Sequence, residues 1–222
     1  MHQAKEKQTQ SHPALKLGTW NVGTMTPGLS EDLLEGKPSE EVREHGVGFA
    51  VRNRLLGSIV PPTEGSAKII KLQLHTAAGM VSLINAYTPT LTSSTETKVY
   101  FYDDLGLTLR DIPQQEPVFF LEDINARVGS DHSSCLGPFG FRKMNESGQL
   151  LLEFCCRYDL CVNNSFFDTK PQHKVSWRHP RSKHWHQLDL VLTERSNLRS
   201  IKLTRSFQST DVTPTTLSSF AK

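Results

Sequence analysis

Val118-Phe119-Phe120-Leu121 is an unbroken apolar run that opens directly after Pro117 and ends on two acids, Glu122 and Asp123. A strand apolar at every position, not at alternate ones, is one covered on both faces. The chain must therefore supply packing layers above and below this segment, which points to an α/β or α+β sandwich with helices outside the sheets.

The flanking segments supply those layers. Val47, Phe49 and Val51 alternate, as do Ile70, Leu72 and Leu74, and Met80 to Tyr87 is strand-like again; together they predict an antiparallel meander. Leu15, Leu17 and Thr19 alternate with Lys16 and Gly18, predicting a strand from Leu15 to Val22. Ser93 with Glu96 reads as a capping box ahead of Val99, Tyr102, Leu105 and Leu109 at helical spacing. The clearest helix carries Leu151, Phe154, Cys155 and Tyr158, with Gly148 just before it. Leu160 to Val162 and Leu188 to Leu192 complete the strands. By contrast, residues 26–45 hold Pro27, Gly28, Gly36 and Pro38 among many acids, and are expected to be a shortened loop outside the core. Residues 1–14 are polar and aperiodic, the pattern of a disordered tail.

Composition narrows the class further. A length of 222 residues suits one domain, and a charged fraction of 22% is ordinary for a folded chain. The net charge of +2 is too small to imply a nucleic-acid partner, so any such argument must rest on local clustering. Cys135, Cys155, Cys156 and Cys161 fit no C-x-x-C or zinc spacing and read as small apolar residues of a reducing compartment. No apolar stretch is long enough to span a bilayer, and Met1 to Gln10 lacks a signal-peptide apolar region. The expectation is a soluble intracellular protein, in nucleus or cytoplasm, without membrane association and without an evident oligomerisation signal.

Chemistry is sought where polar residues break out at the ends of apolar strands, because hydrolysis of a phosphodiester by metal ions needs hard oxygen ligands and a group that activates water. Asn21 ends the first predicted strand, although an amide there also serves turn chemistry. Tyr87 precedes Thr88-Pro89, either as a packed rim aromatic or as a catalytic phenol. Asp123 and Asn125 stand two residues apart at the end of the buried strand, so a period of two places both on one face. Asp189, within Gln187-Leu188-Asp189-Leu190, needs a hydrogen-bonding or charged partner, and a histidine is one common choice. Between Lys170 and Lys183 the cations Lys170, Lys174, Arg178, Arg181 and Lys183 interleave with Trp177 and two histidines and meet no acid. That mixture suits a phosphate backbone with unstacked bases, or else a solvated loop. His179, His184 and His186 read as hydrophilic loop residues, not as metal ligands.

Taken in order, Thr19-Trp20-Asn21-Val22, His45-Gly46-Val47-Gly48-Phe49, Tyr87-x-Pro89, Asp123-x-Asn125-Ala126, Asn145-x-x-Gly148, Ser176-Trp177 and Leu188-Asp189 resemble one family. It is the endonuclease/exonuclease/phosphatase superfamily, in the retrotransposon-type endonuclease branch that includes craniofacial development protein 2-like sequences. The likeness runs from Leu15 to Asp211. It implies a four-layered α/β sandwich of the DNase I-like type and Mg²⁺-dependent (or Mn²⁺-dependent) nicking of DNA, with RNA as an alternative partner. Carried over by position, Asn21, Asp123 and Asn125 would hold the metal end of the site. Tyr87 would touch the scissile phosphate, Asp123 would orient or deprotonate the attacking water, and Asp189 resembles the acid that pairs with the family's last histidine.

Three departures accompany the resemblance. The interval before His45 lacks the family's early helix and the strand ending in Gln-Glu-Thr, whose Glu is the principal metal ligand, so the fold is expected to be truncated there. Glu122 stands where the family has a glycine, a residue that gives the backbone room and positive φ. Finally, residues 212–222 form an aberrant tail and no histidine follows His186. Loss of one base in the Asp codon ahead of a family-type Cys-Asp-Thr-Asp-His-Ser-Leu-Val-Phe-Cys tail would yield the run Asp211 to Ala221, a frameshift reading. The resemblance thus implies a nuclease-like domain with impaired or absent catalysis. A non-catalytic nucleic-acid-binding relic is the alternative, and a phosphatase on the same fold is a further one.

Overall fold

The computed structural model describes residues 15–18, 33–35, 48–60, 66, 68–130, 134–179 and 181–206. Its strands and helices run β1 (Leu33–Glu35), β2 (Gly48–Ala50), β3 (Ile59–Val60), β4 (Ile69–Thr76), β5 (Gly79–Tyr87), α1 (Thr95–Arg110), β6 (Val118–Asp123), α2 (Glu146–Arg157), β7 (Leu160–Val162), β8 (Trp177–Arg178), β9 (Trp185–His186) and β10 (Asp189–Glu194). Six strands form the main sheet in the order β3-β4-β5-β6-β10-β7. β6 lies at its centre, parallel to β5 and antiparallel to β10. That position explains why β6 carries no alternation: both of its faces are inside.

The helices cover one face. Ile84, Phe120 and Leu192 of the sheet pack with Phe101, Tyr102 and Leu105 of α1 and with Leu151, Phe154 and Cys155 of α2. Phe120, with no exposed surface, meets Phe154 edge-on at a centroid distance of 6.4 Å. Removing such a ring costs on the order of 3–5 kcal/mol. The opposite face gathers Ile70, Leu72, Leu74, Leu83, Leu121 and Val191, and is covered in part by Phe49, Leu15 and Leu17. Asn85 fastens this cover, its Nδ2 donating to the Gly48 carbonyl at 2.8 Å.

Four expectations need correction. Leu15–Gly18 is not a strand; Leu15 and Leu17 instead lean on the sheet's second apolar face. Residues 33–35, expected in a loop, form β1, which pairs with β2 through Leu33↔Ala50, Leu34↔Phe49 and Glu35↔Gly48. The pairing is set by β2, because so short a strand in a Gly- and Pro-rich stretch has no periodicity of its own. The cap of α1 is Ser94, not Ser93: Ser94 accepts from the Thr97 amide, while Ser93 stands one residue too early. And Glu122 keeps extended strand backbone, whereas the left-handed residue is Asn125, at φ 46°. The tails 1–14 and 207–222, including the aberrant tail at 212–222, lie outside the described residues, as does the rest of 26–45. No described helix is long and apolar enough to cross a membrane.

Candidate active site

The central strands end together, and that brings the acids together. Asp123 is the register partner of Tyr87 across the parallel β5–β6 ladder and of Asp189 across the antiparallel β6–β10 ladder. The three therefore form a row at one end of the sheet, on the face turned away from the helices, since Leu121 and Val191, two residues from each acid, belong to that face. Backbone bonds bind the strand ends: the Thr88 amide donates to the Asp123 carbonyl at 3.2 Å, and the Ile124 amide to the Leu188 carbonyl at 2.9 Å.

Asn125 lies two residues beyond Asp123, the last residue of β6. Ile124 and Ala126 on either side of Asn125 are buried in the helix-side core, and left-handed backbone at Asn125 interrupts the period of two expected to hold it on the face of Asp123. Its left-handed backbone is tolerated because Asn is among the residues that visit that region. Its Nδ2 is buried and has no protein partner. The following turn is held by the Asn145-x-x-Gly148 motif. Asn145 Oδ1 accepts from both the Gly148 and Arg127 amides, each at 2.9 Å, while the Asn145 amide donates to the Arg127 carbonyl at 3.0 Å. A Cβ on residue 148 would run into that same Arg127 carbonyl, so glycine is required by close approach.

Asp189 is an acid perturbed by its surroundings. Burial pushes its carboxyl pKa up to about 7; a hydrogen bond from Ser176 works against this, and the neighbouring Asp123 charge adds to it. Its Oδ1 is buried without a hydrogen-bonding partner. Ser176 holds the strand entry as well, its Oγ accepting from the Leu188 and Asp189 amides at 3.2 and 3.3 Å. On the other edge Asn164, just beyond β7, accepts from the Val191 amide at 2.9 Å and donates to the Asp189 carbonyl at 3.5 Å. Sequence reasoning assigned no role to Ser176 or Asn164. The available signals were a hydroxyl inside the basic stretch, one step before Trp177, and a pair of amides directly after an all-apolar strand. The histidine considered as a partner for Asp189 is absent from its described hydrogen bonds.

Asn21 lies outside the described residues. The basic stretch is divided. Trp177–Arg178 and Trp185–His186 pair as a two-stranded hairpin, with Trp177 opposite His186 and Arg178 opposite Trp185. The Trp177, His179 and His186 rings cluster at centroid distances of 5.4, 5.8 and 6.4 Å. Arg178 lies over the Trp185 ring at 5.9 Å, and its Nε donates to the Lys183 carbonyl. Arg181 and Lys183 are exposed at the tip. The hairpin joins the acid row through Ser176, whose amide donates to the His186 carbonyl at 2.8 Å. Lys170 and Lys174 stand outside it, and Lys174 is engaged with the Phe139 carbonyl and ring. Burial and the Arg142 and Arg127 charges hold the His186 pKa below its ordinary value. Among the described residues, no group of three His, Cys, Asp or Glu side chains converges as a metal cluster would.

No family model matches the chain. Among solved structures, it is similar to the endonuclease domain of TRAS1, a telomere-specific non-LTR retrotransposon, with a TM-score of 0.56 and 11% identity over 77% of this chain and 70% of that one. The fold is thus of the DNase I-like type. The chain is also 27% identical to craniofacial development protein 2 of Bos taurus and 26% identical to that of Tragulus javanicus, over 84% of its length. It spans 37% and 38% of the length of these two relatives.

Proposed function

We propose that the chain is a nuclease-like domain that binds DNA while its phosphodiester chemistry is impaired. The observation that carries this reading is the state of Asp189: a carboxyl raised to about 7, one oxygen buried without a partner, directly across the ladder from a second acid. An acid that works by holding a histidine has its charge stabilised by that partner. Here burial and Asp123 oppose the charge, and Ser176 compensates only in part.

The oxygens of Asp123 and Asn125 suit a hard divalent cation such as Mg²⁺ or Mn²⁺, and Asp189 Oδ1 adds a buried oxygen in the same row. Asp123 and Asn125 would hold it, with Asn21 as a further ligand by resemblance. Such an ion supplies Lewis-acid polarisation of a phosphoryl oxygen. With two acids and amides as the donor set, affinity for the ion is expected to be weak. Asp123 would orient or deprotonate a water, and Tyr87, its register partner, would contact a phosphate. The hairpin adds a basic, aromatic surface reached through Ser176. Trp177 is 38% exposed there, enough ring surface to stack an unpaired base.

Nicking of supercoiled plasmid with Mg²⁺ or Mn²⁺, run beside Asp123→Ala, and salt-dependent DNA binding by fluorescence anisotropy test this together. Binding that weakens with salt, without nicking, is expected. Nicking abolished by Asp123→Ala would overturn the impaired reading, and absence of binding from a folded sample would overturn the DNA-binding one.

A further inference from the structure

Away from the acid row, the segment between β6 and α2 brings a thiol against the last turn of α2. Cys135 is buried and Cys156 is exposed, and their sulfurs stand 2.8 Å apart. Ser134 Oγ lies 3.6 Å from each sulfur. Cys135 is already positioned by the fold: its carbonyl accepts from the Val162 amide of β7 at 2.9 Å, and its Sγ faces the Leu152 carbonyl of α2 at 3.9 Å. Cys156 is carried by α2, whose Leu151, Phe154 and Cys155 are fixed in the core. Closing a sulfur–sulfur bond of about 2.05 Å from this contact requires a movement of less than about 1 Å, so little ordering remains to be done.

We propose that Cys135 and Cys156 are a peroxide-responsive pair that closes to a disulfide, independently of the nuclease reading. The exposed sulfur reacts first, because only it is open to solvent. The Cys156 thiolate attacks one oxygen of hydrogen peroxide; the O–O bond breaks, hydroxide leaves, and Cys156 becomes a sulfenic acid. Cys135 then gives up its proton and attacks the Cys156 sulfur. The sulfur–oxygen bond breaks and hydroxide takes the proton to leave as water. The two thiols lose two electrons in total, and the peroxide is reduced to two waters. A dithiol reductant reverses the bond. The link ties the segment leading out of the acid row to the end of α2, and it closes a loop in the unfolded chain, so the oxidised form is the more stable one.

The test uses the full chain in three states: reduced, treated with hydrogen peroxide, and treated and then reduced. Free thiols are alkylated and the tryptic peptides are compared without reduction. Peptide 128–142, with Cys135, linked to peptide 144–157 and fragmenting at Cys156, is the expected result, together with a higher melting midpoint that reverts on reduction. Cys156→Ser should abolish the link and Cys155→Ala should leave it. Peroxide that drives Cys156 to sulfinic acid while Cys135 stays alkylatable would overturn the proposal. So would a link through Cys155 or Cys161, or one between two chains.

Discussion

Asp189 stands directly opposite Asp123 in the β6–β10 ladder, where its amide donates to Ser176 Oγ while its own buried Oδ1 has no hydrogen-bonding partner. Burial with this like charge raises the Asp189 pKa from 3.8 to about 7. An acid whose folded value lies above its unfolded value binds its proton more tightly when folded. Its stabilising share is complete below the unfolded value and is lost as pH rises through the folded one. Stability should therefore fall between about pH 4 and pH 7 and level off above, by at most about 4 kcal/mol. Asp189→Asn should flatten this dependence and melt higher than the parent at pH 8. A variant that melts lower at pH 8 would show that the charged carboxylate is stabilised, contrary to this account.

The loop that presents Asn125 depends on residues twenty positions downstream. Asn145→Ala removes an N-cap and leaves the Gly148 and Arg127 amides without their acceptor, a loss of about 1–2 kcal/mol. Gly148→Ala forces the Arg127 carbonyl to move and should cost at least as much. Urea unfolding of both variants checks this. A Gly148→Ala variant as stable as the parent would mean that the helix entry has slack that the described geometry does not allow.

How far these relations were legible follows from which of them are periodic. β6 and α2 announce themselves, because a strand buried on both faces and a helix buried along one stripe leave opposite signatures in sequence. The acid row was legible residue by residue, since Tyr87, Asp123 and Asp189 each end or begin an apolar strand. Its register was not, because strand pairing depends on partners far away in the chain. β1 escaped for the same reason: Leu33–Glu35 gains its strand character only from Gly48–Ala50. Asn164 and Ser176 act on backbone amides of β10 from outside that strand, and nothing in local spacing marks such a role. The hairpin is too short for alternation, with both residues of β8 exposed, so composition found its charge while its shape stayed hidden.

Trp177 and Arg178 separate binding from folding. Both side chains are exposed, so truncating either should change stability by less than about 0.5 kcal/mol. Trp177→Ala should weaken binding to single-stranded DNA by roughly 1–3 kcal/mol if a base stacks on the ring. Replacing the exposed tip cations, Arg181→Ala with Lys183→Ala, should instead lower affinity for all sequences and flatten its salt dependence. Anisotropy titrations at several salt concentrations distinguish these effects. Unchanged affinity in all of these variants would remove the hairpin from the binding surface and leave the acid row as the only candidate.

The frameshift reading of the tail predicts a gain of function. Residues 211–221 match a family-type tail read one base out of frame, and the restored frame places an Asp-His pair where this chain has Thr215 and Thr216. An imidazole delivered to Asp189 would meet its buried oxygen and stabilise the charged carboxylate, so the Asp189 pKa should fall. A chain with the frame restored should therefore lose the stability decline between about pH 4 and pH 7, since that decline comes from the unpaired acid. It should also nick plasmid better than the present chain if the missing histidine limits the chemistry. Recovery of the pH profile without nicking would place the remaining defect at the metal-ligand position before His45. A restored chain whose stability still declines like the parent's would show that its histidine does not reach Asp189, and the frameshift would then explain the tail's sequence without explaining the site.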